Sequence, residues 1–163
     1  MNSRRFLDLA RELVAGVRAG KSATGGAGEP ECRCAIGRAY YAAFLVAREF
    51  LNRIGIWVTP TAGGHTAVQF ALNNSGAPAL VTAARQLSQL ASERTDADYE
   101  PNNPRTEDIL VAGPAVDLAA VTIQMLDIIA AGRATPPVDL AAVADAILAW
   151  AKANGQESKI RRL

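Results

Sequence analysis

The sequence predicts an all-α fold, and three observations carry that prediction. Half of the 163 residues are hydrophobic, yet much of that half is alanine and only 6% of residues are aromatic, a composition suited to closely packed helices rather than strands. Apolar residues return at helical spacing in one run after another, and the runs are closed by glycine, proline or asparagine. The length suits one domain with an added helix, enough chain to bury roughly two thirds of its unfolded surface around a single core.

Each helix has its own justification. Ser3 is placed to cap a first helix running to about Ala19, with Phe6, Leu7, Leu9, Ala10, Leu13 and Val17 forming a broad apolar stripe and Gly20 ending it. Residues 20–30 are rich in Gly, Ser and Thr and are expected to be a mobile loop. Gly20-Lys21-Ser22 imitates the end of a phosphate-binding loop, but that motif needs glycine where Ala15 stands and a strand before it, so the match is rejected. A second helix, about 31–54, carries one stripe through Ile36, Tyr40, Ala43, Phe44, Ala47, Phe50, Leu51 and Ile54. Cys34, Tyr41 and Leu45 form another on the far side beside Arg38. A helix apolar on two faces is central in its bundle or packs one face on a second chain.

After Gly55 the chain is expected to loop past Pro60 and Gly63-Gly64 into a short helix from about His65 to Leu72. A fourth helix begins near Ala77, and its stripe of Leu80, Ala84, Leu87 and Ala91 continues onto Arg94 and Asp98, four apart and able to pair. Glu100-Pro101-Asn102-Asn103-Pro104 must be loop, because proline disfavours helix in the residue before it. Asn103 is placed to cap a fifth helix from about Pro104 to Ala131, with a kink or split expected at Gly113-Pro114. Thr135-Pro136-Pro137 leads to a sixth helix striped by Leu140, Val143, Ala144, Ile147 and Ala151, ending near Asn154-Gly155. The expected organisation is therefore a bundle over 1–133, an accessory C-terminal helix over 134–155, and a frayed, flexible tail over 156–163.

Net charge is +1, so no global field draws the chain to nucleic acid or an acidic membrane, and any such binding must rest on a local cluster. Cys32 and Cys34 stand two apart on a helix, point to different faces and cannot bridge each other. The first residues do not read as a signal peptide, and no apolar stretch reads as long enough to span a membrane, which gives a cytoplasmic expectation. Two cysteines and one histidine do not make a metal site, and no cofactor is expected. Nothing arranges serine, histidine and aspartate as a triad.

Two segments stand out for chemistry. Arg38-Ala39-Tyr40-Tyr41-Ala42-Ala43-Phe44 and Glu93-Arg94-Thr95-Asp96-Ala97-Asp98-Tyr99 place arginine and tyrosine among helical apolar residues, where an unpaired guanidinium is costly. With His65-Thr66-Ala67-Val68 opening the short helix between them, their order and spacing over roughly 31–131 resemble the HEPN superfamily, above all its small stand-alone prokaryotic members. That resemblance implies an antiparallel bundle of four or five helices, usually dimeric, with RNA- or nucleotide-related roles, commonly in toxin–antitoxin or defence modules. Its catalytic members cleave RNA without metal, using an arginine followed after four to six residues by a histidine, two copies meeting at the dimer interface. Arg94 matches the arginine, but Tyr99, Glu100 and Pro101 occupy the histidine positions, and His65 belongs to a different segment.

The candidate site is Arg94 and Tyr99, with Asp98, Arg38, Tyr41 and His65 as binding or supporting residues. Arg94 with Asp98 also reads as a structural pair, and Arg38 with Tyr41 as an interface network. Arg38, Tyr41 and Arg94 together form a plausible phosphate pocket, since guanidinium suits bidentate phosphate contacts. Tyr99, with an ordinary pKa near 10, is able to donate a proton but is a poor base at neutral pH. His65, after two glycines at a helix start, more commonly serves to cap. The expectation is a homodimer that binds or weakly cleaves RNA or binds nucleotide. Its rivals are a non-catalytic interaction protein, and a protein whose Tyr99 is modified by a partner nucleotidyltransferase acting as antitoxin.

Overall fold

A computed structural model describes residues 2–21, 28–61 and 63–163. Six helices follow in order: α1 (Arg5–Arg18), α2 (Glu29–Arg53), α3 (Gly64–Asn73), α4 (Pro78–Tyr99), α5 (Ile109–Ala130) and α6 (Leu140–Ala153). A short 3-10 turn, Pro104–Glu107, precedes α5, and two three-residue strands, β1 (Ile56–Val58) and β2 (Ile160–Arg162), complete the chain. The fold is all-α apart from this small sheet. Ser22, with the rest of 22–27 from the expected glycine-rich loop, lies outside the described residues.

The single core expected from length divides into two compact units, Met1–Ala43 with Leu87–Thr122 and Phe44–Gln86 with Ile123–Leu163. Each is assembled from separated stretches of chain, and α2, α4 and α5 each contribute to both. The first unit is built on α1, the first half of α2, the end of α4 and the first half of α5, with Leu7, Ala10, Ile36, Tyr40, Leu87 and Val116 among its buried residues. The second includes α3, α6 and the sheet, and it buries Phe50, Leu51, Leu72, Leu80, Leu126 and Ile147. The sixth helix thus belongs to a core with α3 and β1 and is not an appendage beginning at 134.

Helix boundaries follow local chemistry. Arg4, not Ser3, occupies the N-cap of α1, and Asn2 Oδ1 accepts from the Arg4 amide at 3.0 Å. The break before α5 falls at Asp108 rather than at Gly113-Pro114. Asn103 accepts from the Arg105 amide to start the 3-10 turn, and extended Asp108 accepts from Leu110 N at 2.7 Å to start α5. The helix then runs through Pro114, whose missing amide lies close to the N-terminal end, where the carbonyl it would have bonded belongs to exposed Leu110. Asp139 caps α6 by accepting from Ala141 N and Ala142 N.

Residues 156–163, expected to fray, are instead tied down. β2 runs antiparallel to β1 with Ile56 opposite Arg162, Trp57 opposite Arg161 and Val58 opposite Ile160. Ile56, Val58 and Ile160 are buried, and this apolar face is what holds so short a sheet in place. Thr59 N donates to Lys159 O and Leu163 N to Gly55 O, each at 2.9 Å, extending the pairing past both strands. Gly55, at φ +82°, turns the chain from α2 into β1 in a conformation other residues rarely adopt.

α5 also corrects the reading of apolar stretches. Among the described residues it is long and apolar enough to cross a membrane by length and composition, with only Asp117 and Asp127 charged along it. Ala112, Ala115, Ala119, Ile123 and Leu126 give it a buried stripe at helical spacing, as in a core helix.

Candidate functional site

Four of the six expected site residues come together with one another in the first unit, and a fifth, Asp98, stands beside them. Arg38 and Tyr41 are three apart on α2 and so share a face; Arg94, Asp98 and Tyr99 lie in the last turns of α4. The buried stripe of α4 continues through Leu87, Leu90 and Ala97, leaving Ala91 half-buried. Arg94 therefore sits at the margin of the core and Asp98 just outside it. Their side chains are 23% and 36% exposed, so the pair is neither fully buried nor free in solvent.

The side chains stack as a ladder of alternating rings and cations. The Arg38 guanidinium carbon lies 5.7 Å from the Phe6 ring centre and 5.9 Å from that of Tyr41. That of Arg94 lies 5.6 Å from the Tyr41 ring centre and 5.4 Å from that of Tyr99. The order Phe6, Arg38, Tyr41, Arg94, Tyr99 thus sets each cation between two π faces, which attract it electrostatically. Phe6, from α1, is a member that sequence reasoning assigned only to the core stripe.

The two arginines differ in what else they hold. Arg94 Nη2 donates to Tyr41 Oη at 3.4 Å, and Nε lies 2.6 Å from Asp98 Oδ2 in an ion pair outside aligned hydrogen-bond geometry. Burial works to lower the Arg94 pKa, but the Asp98 carboxylate, then Tyr41 and Tyr99, more than offset it and the net shift is upward. Arg38, by contrast, has no carboxylate or hydrogen-bond partner among the described residues; its only contacts of this kind are the two rings. Behind the ladder, Tyr40 is buried, and burial, partly opposed by the Arg94 charge, pushes its phenol up to about 12.

Tyr99 is 65% exposed at the outer end of the ladder, and its side chain also engages Arg94. His65 is not part of this cluster. It is the second residue of α3, in the other unit, where its ring stacks on Phe44 at 4.2 Å and 26°. The ladder thus has cations and π faces but no imidazole.

Arg33 was missed from the sequence. Only 18% exposed, its side chain donates to the carbonyls of Ala97, Glu100, Pro101 and Asn103 and pairs with Glu107 at 2.8 Å. The carbonyls of Glu100 and Asn103 already accept from Asn103 N and Thr106 N, and Arg33 adds a second donor to them while also reaching those of Ala97 and Pro101, which fixes the segment on both sides of Tyr99. The available signal was a loop with two prolines, which supplies few amides to its own carbonyls; on α2 itself Glu29, four residues before Arg33, offered a local partner that hid it.

Chemically, the arrangement offers guanidinium edges for phosphate and ring faces for bases, and lacks a group poised to take a proton near neutrality. Among the described residues no group of three or more His, Cys, Asp or Glu side chains is arranged to hold a metal ion. Neither family models, nor curated proteins, nor solved structures provide a match to the chain.

Proposed function

We propose that this chain is a HEPN-like helical protein that binds RNA or a nucleotide through the Phe6–Arg38–Tyr41–Arg94–Tyr99 ladder, within a cytoplasmic toxin–antitoxin or stress module. The observation that carries this reading is Arg38: a half-buried cation, stacked between two rings and left with its donors unspent. Internal ion pairing accounts for Arg33 and Arg94 but not for Arg38. A phosphate would supply the missing acceptor, with Arg94 as the second cation and exposed Tyr99 as a platform for a base.

Cleavage on this reading is weak. Arg94 would stabilise phosphate charge, but a phenol stands where an imidazole would act, forfeiting much of the roughly 10²–10⁴-fold that general acid–base catalysis supplies. The exposure of Tyr99 favours a second role for it, as the acceptor of a nucleotidyl group from a partner transferase. Dimerisation would use the α2 face of Cys34, Arg38, Tyr41 and Leu45, none of which is fully buried.

Purified protein titrated with AMP and with mixed RNA tests the binding reading. Arg38→Gln is expected to weaken binding about tenfold, the loss of one charge-assisted contact of about 1.4 kcal/mol. Unchanged affinity in Arg38→Gln would refute it. Strong metal-independent cleavage abolished by Arg94→Ala would refute the claim of weak catalysis, and a monomer by light scattering at high micromolar concentration would refute the dimer.

A further inference from the structure

The second unit carries a cationic surface that neither the ladder nor the bundle core uses. In the antiparallel pairing of β1 with β2, one face carries Ile56, Val58 and Ile160, all buried, with exposed Arg162 at its end. The alternation of a strand sends Trp57 and Arg161, which are directly opposite each other, to the other face. There the Arg161 guanidinium carbon sits 4.3 Å from the Trp57 ring centre, closer than any cation-to-ring distance in the ladder.

The charges around this pair are uncompensated. Arg161 and Lys159 are exposed and have no carboxylate partner among the described residues, whereas Arg162 is paired with Asp145 at 2.7 Å. The Lys159 side chain runs beside Gly63, about 3.8 Å from where a β-carbon would stand. Two free cations two residues apart, one of them set against a half-exposed indole, in a chain of net charge only +1, form a local cluster of the kind that follows a phosphate backbone while offering a ring to a base.

We propose that the outer face of the β1–β2 sheet, with Lys159, Arg161 and Trp57, is a second binding surface, and that its ligand is a single-stranded nucleic acid. Lys159 and Arg161 take phosphates and Trp57 stacks on a base. The proposal rests on the nucleic-acid reading above only for its choice of ligand; the surface itself is independent of the ladder.

The test uses the full chain and a fluorescein-labelled uridine RNA of about twelve nucleotides, followed by anisotropy at several salt concentrations, with AMP binding measured in parallel. In Lys159→Gln/Arg161→Gln the RNA affinity is expected to fall about tenfold. Its dependence on the logarithm of salt becomes shallower by about 1.4, two phosphate contacts at roughly 0.7 each. AMP affinity stays unchanged, and so does the melting temperature, because both side chains are exposed. Arg161→Lys retains the charge and should keep most of the salt slope. RNA binding should also quench a tryptophan signal that disappears in Trp57→Phe.

Equal RNA affinity and salt slope in the double variant would overturn the proposal. So would a poly-glutamate peptide that binds as tightly as RNA in a Lys159- and Arg161-dependent manner, since the surface would then take an acidic protein partner. Failure of the ladder looks different: Arg38→Gln would leave AMP binding intact while the double variant still weakened RNA binding.

Discussion

Replacing Arg33 with alanine removes a guanidinium that donates to four backbone carbonyls and pairs with Glu107. A net hydrogen bond contributes about 0.5–1.5 kcal/mol, and one involving a charged group about 1.5–3. The sum would overshoot, because the carbonyls of Glu100 and Pro101 belong to exposed residues and can turn to water, and because Glu107 is 31% exposed and its charge is partly screened. The better figure is two well-made charged hydrogen bonds lost for good, about 3–4 kcal/mol. For a chain of 163 residues this lowers the melting temperature by roughly 10 °C. Circular dichroism melts of wild type, Arg33→Ala and Arg33→Lys measure it, with lysine, which reaches only one or two of the carbonyls, falling between the others. Hydrogen exchange should show faster exchange over residues 97–107 in Arg33→Ala. A shift of under about 2 °C, with protection unchanged, would show that water replaces the guanidinium and that Arg33 does not hold this segment.

Ile160→Ala should cost about 2–4 kcal/mol by urea unfolding, as for a fully buried isoleucine; a cost below 1 would return residues 156–163 to the status of a loose tail. Because folding raises the Tyr40 phenol from 10 to about 12, its contribution is complete below pH 10 and is lost as pH rises toward 12, on the order of 2–3 kcal/mol. Tyr40→Phe should flatten that part of the stability profile, and an equally steep decline in the variant would assign it to other groups. Cys34, exposed in the single chain, should alkylate readily in dilute protein and more slowly where the proposed dimer covers its α2 face. Cys32, buried and with its thiol pKa raised by burial and then by Asp108 and Glu31, should react only on unfolding; mass spectrometry after brief iodoacetamide treatment finding both labelled would contradict this.

The helices were legible because their apolar periodicity is long. Of the stripe expected on α2, every residue from Ile36 to Leu51 is buried, and only Ile54, one residue past the end of the helix, is not. Arg38, Tyr41, Arg94 and Tyr99 were legible as a group because arginine and tyrosine amid alanine is chemically anomalous. The strands were not, since three residues are too few to display alternation, and a partner about a hundred residues away leaves no local trace. Asp108 was read past because a helix starting at Pro104 satisfied the same rules for proline that the 3-10 turn satisfies. Arg33 escaped because its partners are carbonyls, which every residue has and no sequence pattern marks.

The pairing of β1 with β2 also dictates an order of events. Bringing Val58 to Ile160 closes a loop of about a hundred residues, at an entropic cost of about 4 kcal/mol beyond the constant term. Three residue pairs cannot offset that alone, so the strands meet only after α3 and α6 have brought their ends near. The sheet is then the last element to form and the first to part. The amide of Thr59, which donates across it to Lys159, should exchange with solvent before the helical amides of the same unit. A strand of RNA lying over Trp57 and Arg161 would seal this joint, slowing that one exchange far more than it alters the exchange of α6.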